Sequence, residues 1–325
     1  MRIGLYRDLA VGVSEGSCEI WANKELYCPK ASIGAPPDPL GPQGQNWGLP
    51  PIDPVRLRQA GYQPFIELLR ANMRGCGALR IDHVMGLYRL WWVPPGAPSS
   101  MGAYVYYPVE DLLAILALES HRQRCLVIGE DLGTVPAEMR TLLHDNGIYS
   151  YKVFFFERAQ DGGYFSPVHY PAQAMSALTT HDMPTLRGFW HCDDLSLGRD
   201  LGLYPDEEKL QDLYRERHSA KQAILDSLRW HGLLPGHIGN DVSWVGMNTA
   251  LSHALQEHMC RGNTALFSTQ LEDWLEMDKP VNVPGTCTEY PNWRRKLSRD
   301  LECFLNDPVL TELAHRLTNA RKQAQ

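Results

Sequence analysis

No apolar run in this 325-residue chain approaches the roughly 20 residues that a bilayer-spanning helix needs; the stretch 112–118 is among the longest. The start, Met1-Arg2-Ile3-Gly4-Leu5-Tyr6-Arg7-Asp8, lacks the apolar centre of a secretory leader, which points to the cytoplasm and to no membrane partner. Basic residues are not in excess. Lys and Arg total 31 against 38 Asp and Glu, a formal charge of -7, so nothing here is shaped to meet a phosphate backbone and nucleic acid is not an expected partner. Repeats, low-complexity tracts and charge blocks are absent, and 44% hydrophobic with 21% charged residues excludes disordered and fibrous classes. The eight cysteines, at 18, 28, 76, 125, 192, 260, 287 and 303, never reach C-x-x-C spacing, and no paired-His motif accompanies them. A disulfide framework belongs to short secreted chains, and adjacent His191-Cys192 chelates one ion poorly, so no metal is expected. Cys125 opens an apolar run and reads as a buried thiol. Aromatics are plentiful instead: 9 Trp and 14 Tyr serve mainly as core, but flat rings of this kind also grip sugars.

At about 100–200 residues per domain, the length suits two domains or one large α/β barrel. Short apolar runs at 3–13, 78–84, 125–129, 151–156, 177–180 and 264–268 read as strands. Helical patterns separate them. Phe65, Ile66, Leu68, Leu69 and Met73 form one apolar helical face, and 111–120 forms another. Thr134, two residues before Pro136, reads as the cap of a helix running through His144. The alternation argues for a parallel sheet covered by helices. Residues 36–51, rich in Pro and Gly, read as a long irregular loop of the kind that serves as a lid. Residues 194–260 read as a mostly helical elaboration, and helices are expected near 293–305 and 309–321, with no clean domain boundary.

The acids fall in a pattern. Ala78-Leu79-Arg80-Ile81 runs into Asp82-His83, Cys125-Leu126-Val127-Ile128-Gly129 into Glu130-Asp131, and Ala177-Leu178-Thr179-Thr180 into His181-Asp182. Parallel α/β folds collect chemistry just beyond the carboxyl ends of their strands. Each acid also has a plainer use: Asp182 could cap a helix, Glu130 or Asp131 could brace the following loop, and Asp82 could pair with Arg80 two residues back on the same face. Recurrence at matched positions favours a shared site. Two carboxyl groups on neighbouring strands suit glycoside chemistry, which needs one ionised nucleophile or base and one proton donor. Arg80 would keep Asp82 ionised, and apolar neighbours would help Glu130 keep its proton.

The stretches Ala78-Leu-Arg-Ile-Asp-His-Val-Met-Gly86, Val127-Ile-Gly-Glu-Asp-Leu-Gly-Thr-Val-Pro136 and Thr179-Thr-His-Asp-Met-Pro-Thr-Leu-Arg-Gly188 resemble signature segments of the 4-α-glucanotransferases. These enzymes, also called amylomaltases or disproportionating enzymes (glycoside hydrolase family 77), are relatives of the α-amylases. Gly34-Ala-Pro-Pro-Asp38, Gly44-Gln-Asn-Trp-Gly-Leu-Pro-Pro51, Asn282-Val-Pro-Gly-Thr286 and Asn292-Trp-Arg-Arg295 extend the likeness along the chain, closest to bacterial members. The resemblance implies Asp82 as nucleophile, Glu130 as general acid/base and Asp182 as the third carboxylate, which steadies the distorted sugar. It implies Arg80, His181, Asp8, Asp38, Gln45, Trp47 and Asn282 as substrate contacts. The implied reaction is retaining transfer of α-1,4-glucan segments between maltooligosaccharides, without a cofactor because a side chain carries the intermediate. Alternatives are an α-glucan hydrolase and an inactive maltodextrin-binding remnant. The implied fold is a (β/α)8 barrel of the α-amylase type over 1–325, with a lid at about 32–51 and a helical insertion at about 190–262. Six strands against the eight of a closed barrel lead to the expectation that an N-terminal part of the full-length enzyme is missing.

Overall fold

A computed structural model describes residues 3–37, 44–133, 135–204 and 206–324. The chain is α/β and divides into two compact units, Met1–Tyr151 and Lys152–Gln325.

The first unit opens with β1 (Tyr6–Leu9) and a short α1 (Cys18–Ala22), followed by β2 (Ser32–Ala35) and β3 (Gln45–Leu49). Next come α2 (Pro54–Gln59), α3 (Gln63–Met73), β4 (Ala78–Ile81), β5 (Arg89–Val93), β6 (Ala103–Tyr106), α4 (Val109–Gln123), β7 (Leu126–Gly129) and α5 (Ala137–Asp145). Three of the strands form a parallel sheet in the order β1-β4-β7, with Asp8 opposite Arg80 and Ile81 opposite Gly129. Central β4 is buried at every position, its apolar residues interrupted only by the buried Arg80. Leu69 and Met73 from α3, Leu113 and Leu116 from α4, and Leu79 from β4 are essentially water-free and form the core. The two helices are also joined by Arg70, whose Nε and Nη2 donate to the two oxygens of buried Glu119, each at 2.9 Å. In α4 the acids Glu110 and Asp111 sit in the first turn and His121 and Arg122 in the last, matching the helix dipole.

The expected irregular loop at 36–51 is partly wrong. Its flanks pair as the antiparallel hairpin β2–β3, and with β5 and β6 they make a second sheet in the order β3-β2-β5-β6. The Pro and Gly signals obscured a strand of only five residues. A bulge between Ile33 and Gly34 shifts the register, and the backbone approach there is so close that a Cβ on Gly34 would lie 2.0 Å from the Gln45 carbonyl oxygen.

Strand β8 (Ser150–Val153) carries the chain into the second unit. That unit continues with β9 (Ala174–Ala177), α6 (Leu186–His191), α7 (Asp193–Asp200), α8 (Glu207–Trp230), α9 (Thr249–Cys260), β10 (Leu266–Ser268), α10 (Leu271–Trp274), α11 (Leu301–Leu305) and α12 (Pro308–Ala324). The sheet order is β10-β9-β8, and β9 pairs β10 in parallel. Helices α7, α8 and α9 follow one another here, with Arg217 of α8 donating to both oxygens of Asp194 at 2.8 and 2.7 Å. Among the described residues, no helix is long and apolar enough to cross a membrane.

Several boundaries differ from expectation. The strand at 3–13 shortens to β1, and the run at 151–156 becomes β8 followed by a 3-10 turn. The strand expected at 177–180 lies earlier, at β9, because Ala174-Met175-Ser176-Ala177 is the segment that enters the core. The helix expected at 293–305 survives only as α11: Trp293 takes a left-handed φ of 60° and donates its N–H to Val281, which breaks any helix there. Thr134, expected as a cap, lies outside the described residues, and Pro136 holds the cap position of α5.

Gly34→Ala is expected to cost about 2 kcal/mol or more by overpacking against the Gln45 carbonyl. A urea titration checks this, and an unchanged midpoint would contradict the close approach.

Candidate active site

Where β1, β4 and β7 end, their backbone ladder runs on by one step. Asp82 N–H donates to Leu9 at 2.9 Å, Glu130 N–H to Ile81 at 3.0 Å, and Val84 N–H to Glu130 at 3.1 Å. With Ile81 opposite Gly129, this step sets Asp82 and Glu130 side by side at the rim. Gly129 permits it, since a Cβ there would meet both methyls of Val84 at 3.0 Å.

Arg80, 6% exposed, gathers the acids. Its Nη1 donates to both oxygens of Asp8 at 2.7 and 2.8 Å, and its Nη2 lies 2.9 Å from an Asp82 oxygen. The guanidinium also stands 5.6 Å from the Tyr151 ring centre. Burial works against the Arg80 cation, but Asp82, Asp8 and Glu130 more than offset it and raise its pKa further. The Asp82 pairing expected from sequence is therefore present, and it is compatible with chemistry because Asp82 remains partly open to solvent.

Glu130 is treated differently. Burial pushes its carboxyl up to about 7; the Leu132 amide and Arg80 pull it down, Asp82 pushes it up, and the His83 amide pulls it down. Leu132 N–H donates to Oε1 and His83 N–H to Oε2, each at 2.9 Å. These two bonds use two of about four lone-pair positions, so the carboxyl can still carry a proton. His83 delivers its amide from a left-handed turn with φ 44°, while burial pushes its imidazole down to about 4 and keeps the ring neutral. Its ring meets Trp47 edge-on at 5.4 Å, and Trp47 Nε1 donates to Gln45 Oε1 at 2.9 Å, so the β3 residues Gln45 and Trp47 stand beside the acid-bearing rim. Asp131, by contrast, is buried and accepts from Ser150 Oγ at 2.6 Å and Tyr151 N–H at 2.8 Å, so it braces the loop.

In the second unit, Asp182 lies five residues past the end of β9 rather than at its tip. It does not cap α6, because Thr185 does, accepting from the Gly188 N–H at 3.0 Å. Asn282 Nδ2 donates to one Asp182 oxygen at 2.6 Å, and His181 Nε2 lies 3.2 Å from the other. Asn282 N–H donates to the His181 carbonyl at 3.0 Å, and Trp293 packs 5.0 Å from the His181 ring. Asn292 fixes the intervening turn through Val283 N–H at 2.9 Å and its own bonds to Thr286. Motifs a hundred residues apart thus converge on one carboxylate.

With this geometry in place, the chain's relatives can be compared with it. A family model described as 4-alpha-glucanotransferase matches residues 1–302. The chain belongs to the 4-alpha-glucanotransferase family. A 4-alpha-glucanotransferase of Haemophilus influenzae is 46% identical over 322 residues, which cover 99% of this chain and 46% of that protein. The crystal structure of amylomaltase from Corynebacterium glutamicum superposes with a TM-score of 0.89 at 32% identity, covering 99% of this chain and 46% of that one. An amylomaltase from Streptococcus agalactiae in complex with acarbose shares the fold, at 20% identity and a TM-score of 0.74, over 98% of this chain and 57% of that one. The chain spans about half the length of the curated relatives it matches.

Of the residues expected from sequence, the first unit of this family member brings together Asp8, Arg80, Asp82, Glu130, Gln45 and Trp47, and the second brings together His181, Asp182 and Asn282. Asp38 lies outside the described residues. Among the described residues no group of three or more His, Cys, Asp or Glu could hold a metal ion. Two contributors escaped the sequence reading. One is the His83 backbone amide, which no side-chain pattern reveals. The other is Asp273 of α10, 4% exposed, which accepts from Thr179 Oγ1 at 2.5 Å and Leu186 N–H at 2.7 Å and so clamps both ends of the loop bearing His181 and Asp182. In the sequence Leu271-Glu272-Asp273-Trp274 nothing distinguishes this acid from its neighbour Glu272.

A carboxyl-carbon NMR titration should place the Glu130 midpoint at about 7 and move it down in Asp82→Asn; a midpoint in the ordinary carboxylate range contradicts the buried geometry. Asp273→Ala, which orphans a buried hydroxyl and a buried amide, should cost about 2–4 kcal/mol in chemical denaturation. A loss within about 0.5 kcal/mol would show that Asp273 does not clamp the loop.

Proposed function

We propose that this chain transfers α-1,4-glucan segments between maltooligosaccharides by retaining double displacement, acting in the cytoplasm as a portion of an α-amylase-type (β/α)8 barrel. The observation that carries the reading is the inequality of two neighbouring carboxyl groups: Asp82 ion-paired to Arg80, and Glu130 pushed up to about 7 by burial. That is the division of labour glycoside chemistry needs.

In the first step an Asp82 oxygen attacks the anomeric carbon of the donor while Glu130 gives its proton to the departing glycosidic oxygen. The anomeric C–O bond breaks, a β-glycosyl ester forms on Asp82, and the shortened glucan leaves. In the second step the 4-hydroxyl of an acceptor glucan attacks the same carbon. Its proton passes to Glu130, and the ester bond breaks to restore the Asp82 carboxylate. Asp182, its two oxygens fixed by Asn282 and His181, is assigned to ring hydroxyls of the distorted sugar. Arg80 and Asp8 hold Asp82 in line, and Gln45 and Trp47 contact the glucan. Trp47 and its hairpin support transfer over hydrolysis, because transfer requires that water be excluded while the ester waits for an acceptor.

Digestion of maltotriose tests the reading. Longer maltodextrins with glucose are expected; glucose and maltose alone would identify a hydrolase, and no product at all would identify a binding remnant. Glu130→Gln should lower turnover about 10²–10⁴-fold. Because Glu130 must enter the first step protonated, the rate should fall as pH rises through about 7, and this alkaline limb should vanish in Glu130→Gln. A limb that persists in the variant would remove Glu130 from the acid role.

A further inference from the structure

The helical part of the second unit, α7 to α9, contributes nothing to the proposed chemistry, yet it carries a built feature. A cavity of about 450 Å³ opens there, lined by Trp190, His191, Lys221, Ser243, Trp244 and Gly246 with neighbouring valines. This volume lies within the range of small-ligand clefts.

The loop that forms one wall is braced from several sides. Gln222 of α8 accepts from Val242 N–H at 3.0 Å and donates to the Asn240 carbonyl at 2.8 Å. Asp241 accepts from Ser243 N–H at 2.8 Å, Trp190 Nε1 donates to the Val245 carbonyl at 2.6 Å, and Val242 is buried in the core. On this fixed backbone the Trp244 side chain is 86% exposed. A single exposed apolar residue needs no explanation by itself. An indole displayed on a braced loop at the mouth of a cavity is another matter, because a ligand stacking on it would pay little ordering cost.

The surrounding groups define what could stack. Lys221 turns its ammonium inward, donating to the Trp190 carbonyl at 2.9 Å and lying 3.9 Å from Cys192 Sγ. Asp241, beside the cavity wall on the same loop, is held below the usual carboxylate range by the Ser243 amide and hydroxyl, so a negative charge sits close by. An anionic ligand therefore meets one committed cation and one carboxylate. Ser243, whose hydroxyl lies 3.3 Å from His218 Nε2, and the exposed His191 ring offer both donors and acceptors. A neutral ligand with an apolar face and a rim of hydroxyls fits this combination.

We propose that this cavity is a second carbohydrate site, in which one glucosyl ring of an α-glucan stacks on Trp244 while its hydroxyls bond Ser243 and His191. The choice of an α-glucan over other neutral sugars rests on the proposed function. The site would hold the polymer to the protein without taking part in bond exchange.

The test is a titration of the whole chain with maltoheptaose, followed by the indole N–H signals in a nitrogen-correlated NMR spectrum, with Trp244 assigned from Trp244→Phe. The Trp244 signal should shift saturably, in the native chain and in Asp82→Asn alike, and cellohexaose should shift it far less. Trp244→Ala should weaken retention on a glycogen-containing gel about tenfold with its unfolding midpoint unchanged, and Trp244→Phe should keep most of it. A Trp244 signal that stays still under maltoheptaose, or moves equally with the β-linked sugar, overturns the proposal. A chain that shifts at Trp244 but yields no product from maltotriose would keep this site and sink the catalytic reading, so the two failures are distinct.

Discussion

A guanidinium taken out of water must be neutralised where it stands, and Arg80 is almost wholly buried at the carboxyl end of a parallel strand. Two carboxylates, Asp8 on the neighbouring strand and Asp82 two residues on, supply that neutralisation. The strand register places Asp8 directly opposite Arg80, so the pairing of β1 with β4 brings one of the two carboxylates to the cation. Removing the cation would leave two acids facing each other across a sheet edge, with Glu130 next to them. The same buried cation thus holds both carboxylates, one of them the proposed nucleophile Asp82.

Glu130 shows how a second carboxyl group, one strand away, acquires the opposite property. It shares the field of Arg80, yet burial outweighs that attraction. Local backbone makes the burial possible: Gly129 lets Val84 lie against the strand, and the left-handed His83 turns its amide onto the Glu130 side chain. The group is therefore oriented by backbone donors, which cannot titrate away, while partial burial is the largest influence raising its proton affinity. A side chain in the role of either amide would have introduced a charge or a tautomer of its own.

Much of this was legible in the sequence, and the rest was hidden for definite reasons. The run before Glu130 is continuously apolar and that before Asp82 is broken only by Arg80, because β7 and β4 pair within the packed first unit, and such runs can be read directly. The strand before Asp182 was misplaced because Leu178 extends the apolar signal past Ala177, although the pairing with β10 ends there. The hairpin β2–β3 was concealed by its own Gly and Pro residues, one of which, Gly34, is required by a bulge inside the strand. The helix expected through Trp293 failed on a left-handed residue that composition cannot announce. Asp131 and Asp273 each accept from one hydroxyl and one backbone amide, contacts that a list of acids does not reveal.

The two units divide the work differently. The first concentrates charge on a rim of short parallel strands; the second fixes Asp182 through Asn282 and His181 and surrounds it with loops tied by side-chain amides. The central claim is that Asp82, held ionised by Arg80, forms the bond to sugar. Incubation with an α-glucosyl fluoride bearing a second fluorine on its ring, which slows breakdown of the ester, followed by peptide mass spectrometry, addresses it most directly. The account predicts one added fluoroglucosyl group on the peptide containing Asp82. A label on Glu130 or Asp182 instead, or none while maltotriose is still turned over, would contradict it.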